Sequence, residues 1–194
     1  MDDYVAFLYN NKIEEIIVEN VPAISVGYFV ILKMDDLNRV FPDIQFRHRQ
    51  SGPHLKILNS LYENFLKKRK SNDSYQYGML YDFNPEYGGD ARIFTRFYKG
   101  NGVPQSTEYE AQCGTGTIAV ALAMEKRQEL PCENKILFEW GSKKLTNDPY
   151  GERKTLLEFE RYENKLMRAS FSHNIIELQS VGELYLPSFN KPIF

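Results

Sequence analysis

Cysteine and histidine are both scarce in this chain of 194 residues. There are two cysteines, Cys113 and Cys132, and three histidines, His48, His54 and His173. Two thiols are too few for a disulfide framework, and in a reducing compartment they stay free. None of the histidines has a motif around it, which argues against a thiol hydrolase, since such a nucleophile normally needs an imidazole beside it. Positive charge is not in excess either. Lys and Arg number 24 against 26 Asp and Glu, a net charge of −2, so nothing points to a nucleic acid or an anionic membrane as partner. No apolar run is long enough to span a bilayer. The opening MDDYVAFLYNN carries acids where a signal peptide needs positive charge, and the expectation is a cytoplasmic protein. No repeat or low-complexity linker divides the chain.

What the chain does have is aromatic residues, 14% of the total with 13 Tyr and 13 Phe. Such a composition favours strands with aromatic cross-strand packing. YVAFLY and KIEEIIVENV read as a hairpin turning at Asn10-Asn11. Pro22 to Met34 reads as one buried strand, with Asp35-Asp36 in the loop after it. SGPHLKILNSLYENFLKKRK is an amphipathic helix, with Leu55, Leu58, Leu61, Tyr62, Phe65 and Leu66 at helical spacing, Ser51 placed to cap it and Pro53 in its first turn. Lys67 to Lys70 then suit its C-terminus. YQYGMLYDF and DARIFTRFYKG are strands about a turn-rich NPEYGG. KILFEWGSKKLT gives two more about Gly141, RKTLLEFERYENKLMRASF a hairpin turning at Glu163-Asn164, and NIIELQSVGELYL the last. The expected fold class is α+β: antiparallel strands with one amphipathic and one buried helix, in a single lobe over 1–186 with an extended tail over 187–194.

The most unusual stretch is AQCGTGTIAVALAM, Ala111 to Met124. Taken as helix from Gly116 to about Leu130, it has no polar face for two turns, and a helix apolar all round is enclosed by protein. Its N-terminus presents unpaired N–H groups and a partial positive charge. Gly114 and Gly116 allow close approach to the backbone, and Thr115 and Thr117 add hydroxyls. Together they form a cradle for a carboxylate or phosphate. The same field favours the thiolate of Cys113, which makes Cys113 a candidate nucleophile or base. The alternative is a packing turn with an inert buried thiol.

CGTGTIAVALA resembles the second cysteine motif of the cofactor-independent amino-acid racemases and epimerases, the superfamily of diaminopimelate epimerase and proline racemase. SVGYFVILKMDDLN, ARIFTRFYKGNG, ILFEWGSKKLT and LMRASFSHNIIELQSVGELYL resemble flanking segments in the same order, so the likeness runs from about Ala23 to Leu186. The resemblance implies a lobe of strands wrapped round a central helix, with a substrate at the helix N-terminus and no cofactor or metal. It implies Cys113 as one base of a two-base α-proton transfer, with Gly114, Thr115, Gly116 and Thr117 holding the carboxylate of a small amino-acid ligand.

Family members have two such lobes, and this chain resembles the second alone. Cys132 cannot be the second base, because a helix from Gly116 to Leu130 spans roughly 21 Å; it reads as a partly buried structural thiol. The second base would come from another chain, either a first-lobe subunit or Cys113 of a homodimer mate. The acid that proline racemases carry four residues before the cysteine is Tyr109 here, with Glu108 and Glu110 beside it as candidate amine contacts. The Asn-Pro-His element of diaminopimelate epimerases is replaced by Gly27-Tyr28-Phe29. The competing reading is a non-catalytic carboxylate-binding or interaction domain of the same fold.

Overall fold

A computed structural model describes residues 13–44, 53–69, 75–99, 113–140, 154–162 and 165–173. Eight strands form one sheet in chain order: β1 Glu14–Val18, β2 Val21–Val26, β3 Phe29–Lys33, β4 Tyr75–Asp82, β5 Ala91–Lys99, β6 Lys135–Trp140, β7 Lys154–Tyr162 and β8 Lys165–His173. Three helices are described: α1 Met34–Val40, α2 Pro53–Arg69 and α3 Gly114–Lys126. Neighbouring strands are antiparallel except β3–β4 and β5–β6, which are parallel. Parallel neighbours need a crossover, and the helices supply it: α1 and α2 lie between β3 and β4, and α3 between β5 and β6. The fold is therefore α+β as expected, but the sheet is mixed rather than all antiparallel.

Several local expectations are corrected. Pro22 to Met34 is not one strand. Gly27 and Tyr28 form a two-residue turn between β2 and β3, closed by the Val26–Phe29 pair, and Gly27 has φ +55°. Glycine at the first central position is the II′ hairpin pattern, whose twist matches the flanking strands. A second tight turn at Glu19-Asn20, both with positive φ, joins β1 to β2; this is the I′ pattern, favourable for Asn and strained for Glu. Asp35 and Asp36 are not loop residues but the acidic first turn of α1, where the helix dipole favours them. The Asn10-Asn11 turn, Ser51, the strand after Gly141, the Glu163-Asn164 turn, the last expected strand and the tail lie outside the described residues.

The buried helix was expected, and α3 is that helix. From Gly116 to Met124 every residue is buried, and Ile118 to Met124 have no exposed surface. It packs on β2 and β3 toward one side of the sheet and on β7 and β8 at the other, so the sheet wraps it. The wrapping face supplies Ile24, Val26, Phe29, Ile31, Met79, Ile93, Phe138 and Leu157, among others. Each such side chain contributes about 1.5–3 kcal/mol when fully buried. The Trp140 indole N–H donates to Thr155 Oγ1 at 2.9 Å, so the tryptophan enters this core with its polar atom satisfied.

The opposite face carries a second core. There Val18, Val21, Ala23, Val30, Leu32, Leu80 and Phe94 meet Leu37 of α1 and Leu58, Leu61, Tyr62 and Phe65 of α2. These helical positions fall at the three-to-four-residue spacing that the sequence displays. Gly78 of β4 lies beneath the Tyr62 ring, so close that a Cβ at position 78 would overlap it. Gly78→Ala is expected to cost about 1–3 kcal/mol in denaturant unfolding through overpacking. Combined with Tyr62→Leu, which vacates the space, the loss should be less than the sum of the two single changes.

Candidate functional site

Cys113 is the residue immediately before α3 and caps it. Its backbone is extended (φ −131°, ψ 107°), and its Sγ accepts from the Gly116 N–H at 3.4 Å. Its carbonyl accepts both the Thr117 N–H and the Thr117 hydroxyl, each at 2.9 Å. Thr115 Oγ1 lies 3.4 Å from Sγ. The thiol is half-buried against the inner core. The structure thus brings Cys113, Gly114, Thr115, Gly116 and Thr117 into one turn at the mouth of the enclosed helix. Glu108 and Glu110 lie outside the described residues, as does His48.

Two details of the expected cradle change. First, α3 begins at Gly114 and ends at Lys126, rather than running from Gly116 to about Leu130. The glycines are inside the first turn, not in front of it. A Cβ on Gly114 would overlap the Phe171 ring of β8, and one on Gly116 would come within 2.6 Å of Met79 Cε. Both glycines therefore have a packing reason, with Phe171 and Met79 occupying the space. Second, the Gly116 and Thr117 amides and the Thr117 hydroxyl are engaged by Cys113 itself. By helix geometry the amides of Gly114 and Thr115 have no partner within α3, while the Thr115 hydroxyl shares its hydrogen bond with the Cys113 sulfur.

The far end of α3 is closed by a polar network that the sequence did not signal. Arg127 follows the helix; its guanidinium donates to Asp36 at 2.7 Å and to the Pro22 carbonyl at 3.2 Å. Asp36 also accepts from Arg39 at 2.7 Å. Glu129 accepts from Lys33 and from the buried Tyr81 hydroxyl, each at 2.6 Å. Burial, reinforced by the bond to Glu129 and its charge, holds the Tyr81 phenol protonated well above its ordinary range. These contacts tie the helix C-terminus to β2, β3, α1 and β4. Only an apolar-run register with a charge in it, as in Lys33 after FVIL, could have hinted at them.

Cys132 lies beyond this end, so the separation from Cys113 is as expected, but the thiol is exposed rather than partly buried. It follows Pro131 in the bends that lead to β6, outside the wrapped core. An open cavity of about 400 Å³ beside it is lined by Glu125, Gln128, Leu130, Cys132, Asn134 and Arg161. Its charged groups serve the fold: Arg161 donates to the Pro131 carbonyl at 2.7 Å, and Glu125 accepts from the Leu166 N–H at 2.5 Å. Among the described residues there is no cluster of three or more His, Cys, Asp or Glu able to hold a metal ion, and no helix long and apolar enough to cross a membrane.

No family model matches the chain, and no curated protein matches it. Among solved structures, the crystal structure of a methylitaconate delta-isomerase is similar at a TM-score of 0.39 and 10% identity, covering 79% of this chain and 62% of that one. The chain thus spans less than two thirds of that protein's length. A likeness of this size carries nothing about activity.

The capping geometry gives a direct check. Cys113→Ser keeps an acceptor at the cap and should hold thermal stability, whereas Cys113→Ala should cost about 0.5–2 kcal/mol. Gly114→Ala should cost more than Cys113→Ser at the same helix end, because it collides with Phe171.

Proposed function

We propose that this chain is one half of a cofactor-independent isomerase that transfers a proton at the carbon beside a carboxylate, in the manner of amino-acid racemases and epimerases. The observation that supports it is the placement of Cys113: a half-buried thiol at the cap of an enclosed helix, its sulfur on the Gly116 N–H. In this reading the thiolate removes the α-proton and becomes a thiol, while a second acid delivers a proton to the opposite face. The carboxylate rests at the helix N-terminus, on the Gly114 and Thr115 amides and the Thr115 hydroxyl. Charge that builds on it in the carbanion is stabilised there by N–H groups already fixed in place. Gly116 and Thr117 act behind them, by orienting Cys113. Glu110 and Glu108, which precede the cysteine, are the proposed contacts for a substrate amine.

The second base comes from another chain, a homodimer mate or a separate subunit, because Cys132 is at the wrong end of the helix. An isolated monomer is then inactive. Incubation in D2O with candidate amino acids should give deuterium at the α-carbon in the assembled form only. Cys113→Ser should lower that exchange by about 10²- to 10⁴-fold. Exchange by a strictly monomeric preparation would sink the mechanism.

A second reading, a non-catalytic domain that binds a small carboxylate or a protein partner, has its own support in Phe171 and Met79, which fill the space over the two glycines. Alkylation separates the two, with exposed Cys132 as the internal reference. Cys113 should react with iodoacetamide faster than Cys132 at pH 7 if it is a poised base. A rate equal to or below that of Cys132, with no α-deuteration, favours the binding domain.

A further inference from the structure

Residues 83–90, Phe-Asn-Pro-Glu-Tyr-Gly-Gly-Asp, join β4 to β5 and cross the sheet beside a row of buried charge. The strand register sets Asp82 opposite Arg92, Arg92 opposite Glu139, and Glu139 opposite Lys154. Acid and base thus alternate across four strands. Arg92 is 0% exposed and Glu139 1%. A carboxylate so deeply placed persists as an ion only with a full set of donors. One donor is Arg92, at 2.7 Å. The other three are backbone amides of the connecting segment: Glu86 at 2.7 Å, Tyr87 at 2.5 Å and Gly89 at 2.8 Å.

The segment is held in further ways, all close to that carboxylate. The Glu86 carboxylate meets Arg92 Nη1 at 2.9 Å, and Lys154 Nζ donates to the Tyr87 carbonyl. Asp90 exchanges hydrogen bonds with Leu137, donating its N–H at 2.8 Å and accepting at 2.7 Å. Glycine is required at position 89, since a Cβ there would lie 2.7 Å from Glu139 Cγ and 3.0 Å from the Leu137 carbonyl. The amides of residues 86, 87 and 89 thus form a concave anion site, and the protein fills it with its own side chain.

We propose that the Glu139 carboxylate is the latch of a strap, and that residues 83–90 open as one unit when this carboxylate is protonated, while the sheet stays closed. The groups that face Glu139 are Arg92 from β5, Lys154 from β7, and Glu86 and Asp90 from the strap. Asp82 of β4 lies one strand further, accepting from the Asn84 N–H. Burial opposes the charge on Glu139, but the Arg92 bond and the three amides outweigh it and hold the carboxyl below its ordinary value of 4.5. The ionised latch therefore stabilises the closed strap above that value. The contribution is lost as pH falls through the lower, folded-state value, so opening belongs to the acid side of pH 4.5. Protonation turns one carboxylate oxygen into an O–H donor and leaves the other a weaker acceptor. Arg92 then retains Glu86, while the three amides lose their common acceptor.

Amide hydrogen exchange on the whole chain tests this. At neutral pH, Glu139→Gln should speed exchange at Glu86, Tyr87 and Gly89 by about ten- to a hundred-fold, with the amides of Met79 to Tyr81 and of Ile136 to Phe138 still protected. Lys154→Met, which removes the bond to the Tyr87 carbonyl and keeps the Glu139 carboxylate with its four hydrogen bonds, should give a smaller increase. The wild-type chain gives a measurement that needs no variant to fold: in an acid titration followed by NMR, the amide shifts of residues 86, 87 and 89 should move with one common midpoint below 4.5. Separate midpoints, unchanged exchange in Glu139→Gln, or strap exchange only together with the sheet would overturn the proposal.

Discussion

A helix with no polar face has to be surrounded, and the rest of this structure follows from that requirement. Ile118 to Met124 offer apolar surface in every direction, and a flat sheet covers only one side of a helix. The sheet solves this by curling, so that strands near one edge and at the other, β2 and β8, both touch α3. Curling in turn needs twist, and the two tight turns with positive φ that set β1, β2 and β3 in sequence match the twist of the strands they join. On the reverse face of the sheet, Leu37 of α1 and Leu58, Leu61, Tyr62 and Phe65 of α2 cover the apolar side chains of β2 to β5.

Enclosing a helix moves its chemistry to its ends. Backbone N–H groups at one end and carbonyls at the other have no partners within the helix, and burial denies them easy access to water. At the C-terminal end the chain answers with Arg127, Asp36, Glu129, Lys33, Tyr81 and the Pro22 carbonyl, a set of paired charges and hydrogen bonds that fixes the helix to α1 and three strands. At the N-terminal end the partners among the described residues are a thiol, a carbonyl and two threonines. Charged groups thus close the far end, and a half-buried sulfur caps the near one.

Legibility in the sequence varied with the physical range of the signal. The amphipathic spacing of Leu58, Leu61, Tyr62 and Phe65 is a local pattern, and it identified both a helix and its buried face. The apolar run after Cys113 likewise announced an enclosed helix. Turns were harder. Pro22 to Met34 is apolar but for Ser25 and Lys33, so one strand and two strands look alike, and the positive φ of Gly27 separates them. The parallel pairings of β3 with β4 and β5 with β6 leave no mark on composition, because they depend on where a crossover returns. Arg92 and Glu139 lie 47 residues apart, and nothing in ARIF or LFEW announces that one charge will neutralise the other.

Local signals in the chain were enough to establish an α+β class, one helix buried on all sides, and Cys113 at its mouth, because periodicity and helix-end chemistry act over a few residues. The packing of distant segments set what lies beside the glycines. Gly114 and Gly116 read as room for a ligand, yet Phe171 from β8 and Met79 from β4 occupy the space beside them. It also decided that Cys132 is exposed, that the sheet is mixed, and that the NPEYGG turn is a strap held by Glu139. Each of these rests on groups brought together from distant parts of the chain, and local propensity carries no information about such meetings.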